Sequence, residues 1–108
     1  AGQRLVVSTD TSVDAVHFRR DWLSADEIGW RATMAALSDL AAMGAQPLGV
    51  VLAITCPPDE RDRLPEYARG IGDAVAHAGT VIVGGDLSRG ATLSFGITVF
   101  GAASAPLR

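Results

Sequence analysis

Between Ser24 and Gly44 the chain spells a helix that is apolar almost all the way round, and such a helix has to be buried. Ser24-Ala25-Asp26-Glu27 reads as a capping box at its start, the serine side chain covering an orphan amide while the glutamate reaches back to the amide of the cap residue. Gly44 is free to take the left-handed turn that ends helices, and Pro47 prevents resumption. Trp30, Met34, Leu37 and Ala41 form one apolar stripe, and Ile28, Ala32, Ala35 and Met43 a second, which leaves Glu27, Arg31 and Ser38 as a narrow polar seam. Elements packed on more than one side must cover such a surface.

The rest of the chain supplies them. Residues 5–9 are apolar and β-branched and read as a buried strand ending at Asp10. Residues 13–18 alternate in part and read as a second strand. Residues 48–55, apolar on both faces, suit a central strand stopped by Cys56-Pro57-Pro58. Asp59 and Glu60 favour a helix start, with Leu64, Ala68, Ile71, Val75 and Ala78 at helical spacing, Pro65 in the first turn and Gly79 as the stop. Residues 80–83 form a fourth strand, 84–90 a turn and 91–100 a fifth strand with Leu93, Phe95, Ile97 and Val99 on one face. With 108 residues, 48% of them hydrophobic, this is one domain, 1–108. The expected class is α+β: a mixed sheet in the order β-β-α-β-α-β-β, two helices covering one face and a partner needed for the other.

Charge narrows the function. The net charge is −3 and all nine basic residues are arginines scattered along the chain, so no nucleic-acid footprint exists. A Walker-type loop and a protein-kinase nucleotide site each need a lysine against the phosphates, and there is none. No run of 18 apolar residues suggests a membrane span and no secretory signal opens the chain, which points to the cytoplasm. The single cysteine, Cys56, reads as structural.

Three aspartates carry the chemistry. At 100° per residue Asp39 falls in the second stripe beside Ile28 and Ala32, where an unpaired carboxylate costs several kcal/mol; a cation answers that cost, as does an arginine partner or a cap. Asp10 follows Ser8-Thr9 and Asp86 follows Gly84-Gly85, each at the carboxyl end of an expected strand, where ligands gather in α/β layers. Carboxylates with hydroxyls and carbonyls form a hard oxygen set, suited to magnesium bridging phosphates rather than to zinc. Residues 85–92 keep the glycine spacing of a phosphate loop but place Ala91 where lysine belongs, so these glycines either expose amides to phosphate oxygens or simply turn a hairpin. On pattern alone His17 is a core histidine of its strand. Trp22, Trp30 and Phe18 read as core or interface.

Taken together, Ser8-Thr9-Asp10-Thr11 with Val16-His17-Phe18, then Ile28-Gly29-Trp30-Arg31-Ala32, residues 37–47 (Leu-Ser-Asp-Leu-Ala-Ala-Met-Gly-Ala-Gln-Pro) and Gly84-Gly85-Asp86 resemble the thiamine-monophosphate kinase family. That family shares a superfamily with aminoimidazole ribonucleotide (AIR) synthetase and selenophosphate synthetase, the latter being the nearest alternative. The resemblance implies an AIR synthetase amino-terminal-domain-like fold whose free sheet face pairs into a homodimer with nucleotide at the interface. It implies ATP-dependent phosphorylation of thiamine monophosphate to thiamine pyrophosphate, with ATP as co-substrate and Mg2+ held by Ser8, Thr9, Asp10, Asp39 and Asp86. Gly85 and Asp86 would meet the nucleotide, and His17 the thiamine phosphate, against its pattern-based core role. The family also has an acidic segment ahead of the first strand and a second α/β domain, so the chain is expected to be a nucleotide- and metal-binding domain with little activity alone. The competing expectation is a non-catalytic dimerisation module whose aspartates serve as caps.

Overall fold

The structure, a computed structural model, describes residues 3–104. Four strands and two helices follow in the order β1 (Gln3–Val13), α1 (Ala25–Ala42), β2 (Gln46–Cys56), a 3-10 segment (Pro58–Arg63), α2 (Leu64–His77), β3 (Ile82–Arg89) and β4 (Ser94–Ser104). The sheet order is β1-β4-β2-β3, with β4 antiparallel to both neighbours and β2 parallel to β3. This is the expected α+β architecture, with four strands in place of five.

Alternation along β4 sets the layers. Phe95, Ile97, Val99 and Ala103 are buried on the helix side, whereas Ser94, Thr98, Phe100 and Ala102 face outward and are half-buried at most. α1 crosses the helix side of β1, β4 and β2, and α2 packs on α1 and reaches the sheet through Tyr67, whose ring lies 5.4 Å from that of Phe95. Ile28, Leu37, Leu40, Val50, Tyr67, Ile71 and the β4 row form the core. β3, at the far edge, is exposed along its whole length.

The helices pack backbone to backbone. A β-carbon on Gly29 would run into the Tyr67 carbonyl oxygen, and one on Gly70 into the Asp26 carbonyl, so the α1–α2 crossing is closed by two absent side chains. At the start of α1 the Glu27 carboxylate accepts from both the Ser24 amide (3.4 Å) and the Ser24 hydroxyl (2.7 Å), which is the reach-back half of the capping box. Gly44, with φ +73°, ends the helix in the left-handed conformation.

Three local expectations are corrected. Residues 13–18 do not form a strand: Val13 closes β1, and the chain then turns, with the His17 amide donating to the Val13 carbonyl at 2.9 Å and the Val13 amide to the His17 ring at 2.9 Å. The residues assigned to a turn at 84–90 are mostly strand, because β3 runs to Arg89; a β-carbon on Gly85 would strike the backbone of Leu52 in β2, so that glycine serves close strand pairing. The segment after Pro57 winds as 3-10 before α2 begins at Leu64.

Candidate functional site

The turn that replaces the second strand builds the main concavity. Residues 15–19, Trp22 and Leu23 face Ile28, Arg31, Ala32 and Ala35 of α1 and Asp10 to Ser12 of β1 across a groove of about 640 Å³. That volume suits a small-molecule ligand. Its walls are apolar and aromatic (Val16, Phe18, Trp22, Ile28), and its polar groups are basic apart from Asp10 and two hydroxyls. Arg19 lies with its guanidinium 4.8 Å over the Trp22 ring, so one wall combines a cation with an aromatic face.

His17 is exposed in this wall rather than buried in a strand. Its Nδ1 accepts from the Val13 amide, which in the neutral ring places the proton on Nε2 and leaves that nitrogen as a donor. Ala15, two residues earlier, has φ +68°, a conformation that costs a non-glycine residue roughly 1–2 kcal/mol. The strain marks a loop whose shape is imposed by its surroundings.

The metal-directed residues are distributed rather than clustered. By register, Ser8 and Asp10 lie on the helix side of β1, opposite Val99 and Ile97, while Thr9 lies on the outer face, its hydroxyl 3.0 Å from that of Thr98. Gly85 shares a cross-strand row with Asp10 through Ile97 and Leu52. Asp86 falls in the next row, with Ala53 and Gly96, and so on the outer face. Asp10 and Asp86 thus stand on opposite faces of the two edge strands, three strand spacings or roughly 14 Å apart. Asp39 is exposed on α1, not buried: it shares the azimuth of the buried Ile28 and Ala32, but it lies near the end of the helix, beyond the part that residues 15–23 face, where Ser38, Ala41 and Ala42 are exposed too. Asp10 and Asp86 lie within strands rather than at their carboxyl ends.

Among the described residues no three His, Cys, Asp or Glu side chains come together in a metal-holding group, and no protein cation pairs with Asp10, Asp39 or Asp86. The described residues therefore hold no preassembled metal cage. Its uncompensated carboxylates suit a hard cation that arrives on phosphate oxygens and keeps much of its water, since magnesium needs only one or two carboxylates in such sites. Cys56 is buried, its thiol raised by burial and donating to the Pro57 carbonyl at 3.4 Å, in keeping with a structural role.

The sequence pattern did not find Arg19, Arg31 or the Arg20 network as parts of this region; two consecutive arginines after His17-Phe18 were the available signal. Fold and sequence comparisons agree on the family. The chain matches the "AIR synthase related protein, N-terminal domain" family over residues 1–103. It is 43% identical over 102 residues to the thiamine-monophosphate kinase of Synechococcus elongatus, covering 94% of this chain and 31% of that protein. The crystal structure of thiamine-monophosphate kinase from Stenotrophomonas maltophilia superposes with a TM-score of 0.88 at 36% identity, over 96% of this chain and 32% of that one. A complex of AaThiL with AMPPCP and TMP shares the fold at a TM-score of 0.89 and 24% identity, over 95% of this chain and 33% of that one. The chain thus spans about a third of the length of the relatives it matches. A matching sequence over nearly its whole length and a superposable sheet-and-helix layer place this chain in the AIR synthase related family, as its N-terminal domain.

Proposed function

We propose that residues 1–108 form the nucleotide- and metal-binding domain of a thiamine-monophosphate kinase, which moves the terminal phosphoryl group of ATP onto the phosphate of thiamine monophosphate to give thiamine pyrophosphate and ADP. The observation that carries this reading is the groove, which joins an aromatic wall and the basic groups of His17, Arg19 and Arg31 to Asp10 at its rim, in a chain similar to enzymes of that name. A heterocycle suits the wall, and its phosphate suits the basic groups. The free Nε2–H of His17 is a donor for that phosphate, and the nearby arginines offset its charge.

The acceptor is already an anion, so catalysis rests on positioning and charge neutralisation rather than on a general base. Magnesium bound with ATP would neutralise the phosphoryl group in transit, held by Ser8, Thr9, Asp10, Asp39 and Asp86. Gly85 and Asp86 would border the nucleotide. Because Asp86 and Thr9 point from the outer face while Asp10 points to the helix side, the reading calls for a second copy packed on the outer face, with nucleotide at the junction. Leu5, Val7, Val51 and Val83 are exposed there and would gain cover in a homodimer. Among the described residues no helix is long and apolar enough to cross a membrane, and a cytoplasmic setting is part of the same proposal.

The test is product analysis by chromatography, using the longest natural polypeptide that carries this domain with magnesium-ATP and thiamine monophosphate, and selenide as a parallel acceptor. Thiamine pyrophosphate is expected, with Asp39→Asn and Asp86→Asn each lowering kcat by about 100-fold or more. Selenophosphate would withdraw the substrate, and no product with either acceptor would favour a dimerisation module.

A further inference from the structure

Beside the groove, and outside every role given above, lies a network of charges centred on Arg20. Its Nε is 3.0 Å from Asp14 Oδ2 and its backbone amide donates to Asp14 Oδ1 at 3.3 Å, so one residue ties the end of the groove loop back to its beginning. Its Nη1 donates to Glu60 Oε1 at 2.9 Å, and its Nη2 lies 3.6 Å from Asp59 Oδ2. Glu60, only 5% exposed, stands in the 3-10 segment and accepts from the Tyr67 hydroxyl of α2 at 3.4 Å, with Arg63 at 3.7 Å. The loop is thus closed on itself and anchored to the second helix by one guanidinium.

Three features separate this network from an ordinary surface ion pair. Its side chains are largely withdrawn from water (33%, 16% and 7% exposed for Arg20, Asp14 and Glu60), where pairing is screened less than at the surface. Its centre is a planar fork that reaches three carboxylates at once, a task an ammonium group performs poorly. The loop it closes contains the strained Ala15, so the conformation that presents His17 has to be held rather than merely preferred. The two neighbouring arginines divide the work: Arg19 lies on Trp22 in the groove wall, and Arg20 turns away to the anchor.

We infer that Arg20 is a positioning residue for the phosphoryl acceptor: by joining Asp14 to Glu60 it fixes the arc bearing His17, Phe18 and Arg19, the last stacked on Trp22, in the shape that admits the acceptor, without touching it. The inference rests on the groove being the acceptor site. In the longest natural polypeptide carrying this domain, Arg20→Gln is expected to raise KM for thiamine monophosphate about tenfold, leaving kcat and KM for ATP nearly unchanged. Arg20→Lys, which keeps the charge but not the fork, should recover part of that loss. Asp14→Asn, which releases the loop end and spares the Arg20–Glu60 contact, should repeat the pattern more mildly and carries the test if Arg20→Gln does not fold. A fall in kcat alone, equal rises in both KM values, or a lowered unfolding temperature with unchanged kinetics would overturn the role. His17→Ala and Trp22→Ala separate the two layers of the argument: if they raise the acceptor KM and the Arg20 and Asp14 variants do not, positioning by Arg20 falls alone; if none moves it, the groove assignment falls with it.

Discussion

The second helix meets its two neighbours through opposite materials. Against α1 it offers absence: Gly70 lets the Asp26 carbonyl approach, and Gly29 on the other side admits the backbone of Tyr67. Toward the groove loop it offers a hydrogen bond, from Tyr67 to Glu60 of the preceding 3-10 segment, which in turn holds Arg20 of the loop. The first junction is set by hard contact and has no adjustable part, so damage there spreads through the whole helix layer. The second can be weakened step by step, and its failure is felt first in the shape of the groove. Stability and groove geometry are therefore separable in this domain although they share Tyr67.

Substitution can break that contrast outright at Gly70. Gly70→Ala should destabilise the fold by about 3 kcal/mol, read as a shift of the denaturant midpoint at constant slope, because the new methyl has only backbone to displace. Gly72, in the same helix but facing open space, is the control: Gly72→Ala should stabilise by about 0.5–1 kcal/mol through helix propensity. A similar cost at both positions would mean that the crossing is not set by close approach.

The polar junction has its own signature in pH. Burial, and the Glu60 carboxylate beside it, push the Tyr67 phenol from an ordinary value of 10.0 up to about 12. Between these values the unfolded chain has released its proton and the native state has not, so the unfolded state binds fewer protons and stability falls as pH rises through the window. The contribution is fully present below pH 10 and amounts to about 3 kcal/mol at 1.36 kcal/mol per unit. Tyr67→Phe should flatten the stability curve between pH 10 and 12, and an unchanged slope would show that Tyr67 is not the source. Smallest of the three, Ala15→Gly should relieve the positive φ of the loop and stabilise by about 1 kcal/mol in thermal unfolding. A destabilised Ala15→Gly would show the loop to be unstrained.

Sequence reading succeeded where local rules suffice. The Glu27 reach-back, the left-handed Gly44 and the inward row of β4 all follow from short-range chemistry that no distant contact overrides. It misread residues 13–18 because the bond from the Val13 amide to the His17 ring competes with a ladder, and polar alternation does not register a side chain that bonds its own backbone. Gly84 and Gly85 looked like a turn because glycine permits one, whereas the close approach of Leu52 belongs to the parallel neighbour and is invisible locally. Asp39 does share the azimuth of Ile28 and Ala32, but an azimuth covered near the start of a helix can be open near its end, and the loop that faces Ile28 and Ala32 is a tertiary neighbour the helix wheel does not show. The pattern could name the three aspartates; the division of Asp10 and Asp86 between the two faces of the sheet required the register.

The first strand finds its partner in the last. β1 pairs along its whole length with β4, Thr9 meeting Thr98 across 89 residues of chain, and β4 also supplies the only described bridge from β1 to the rest of the sheet. During synthesis at roughly 5–20 residues per second, β1 must then wait on the order of ten seconds before the strand that completes its ladder exists. Until then an apolar edge and the loop that follows it stand open. Assembly of the described sheet is therefore decided at β4, and β1 is the described strand most in need of protection until β4 is made.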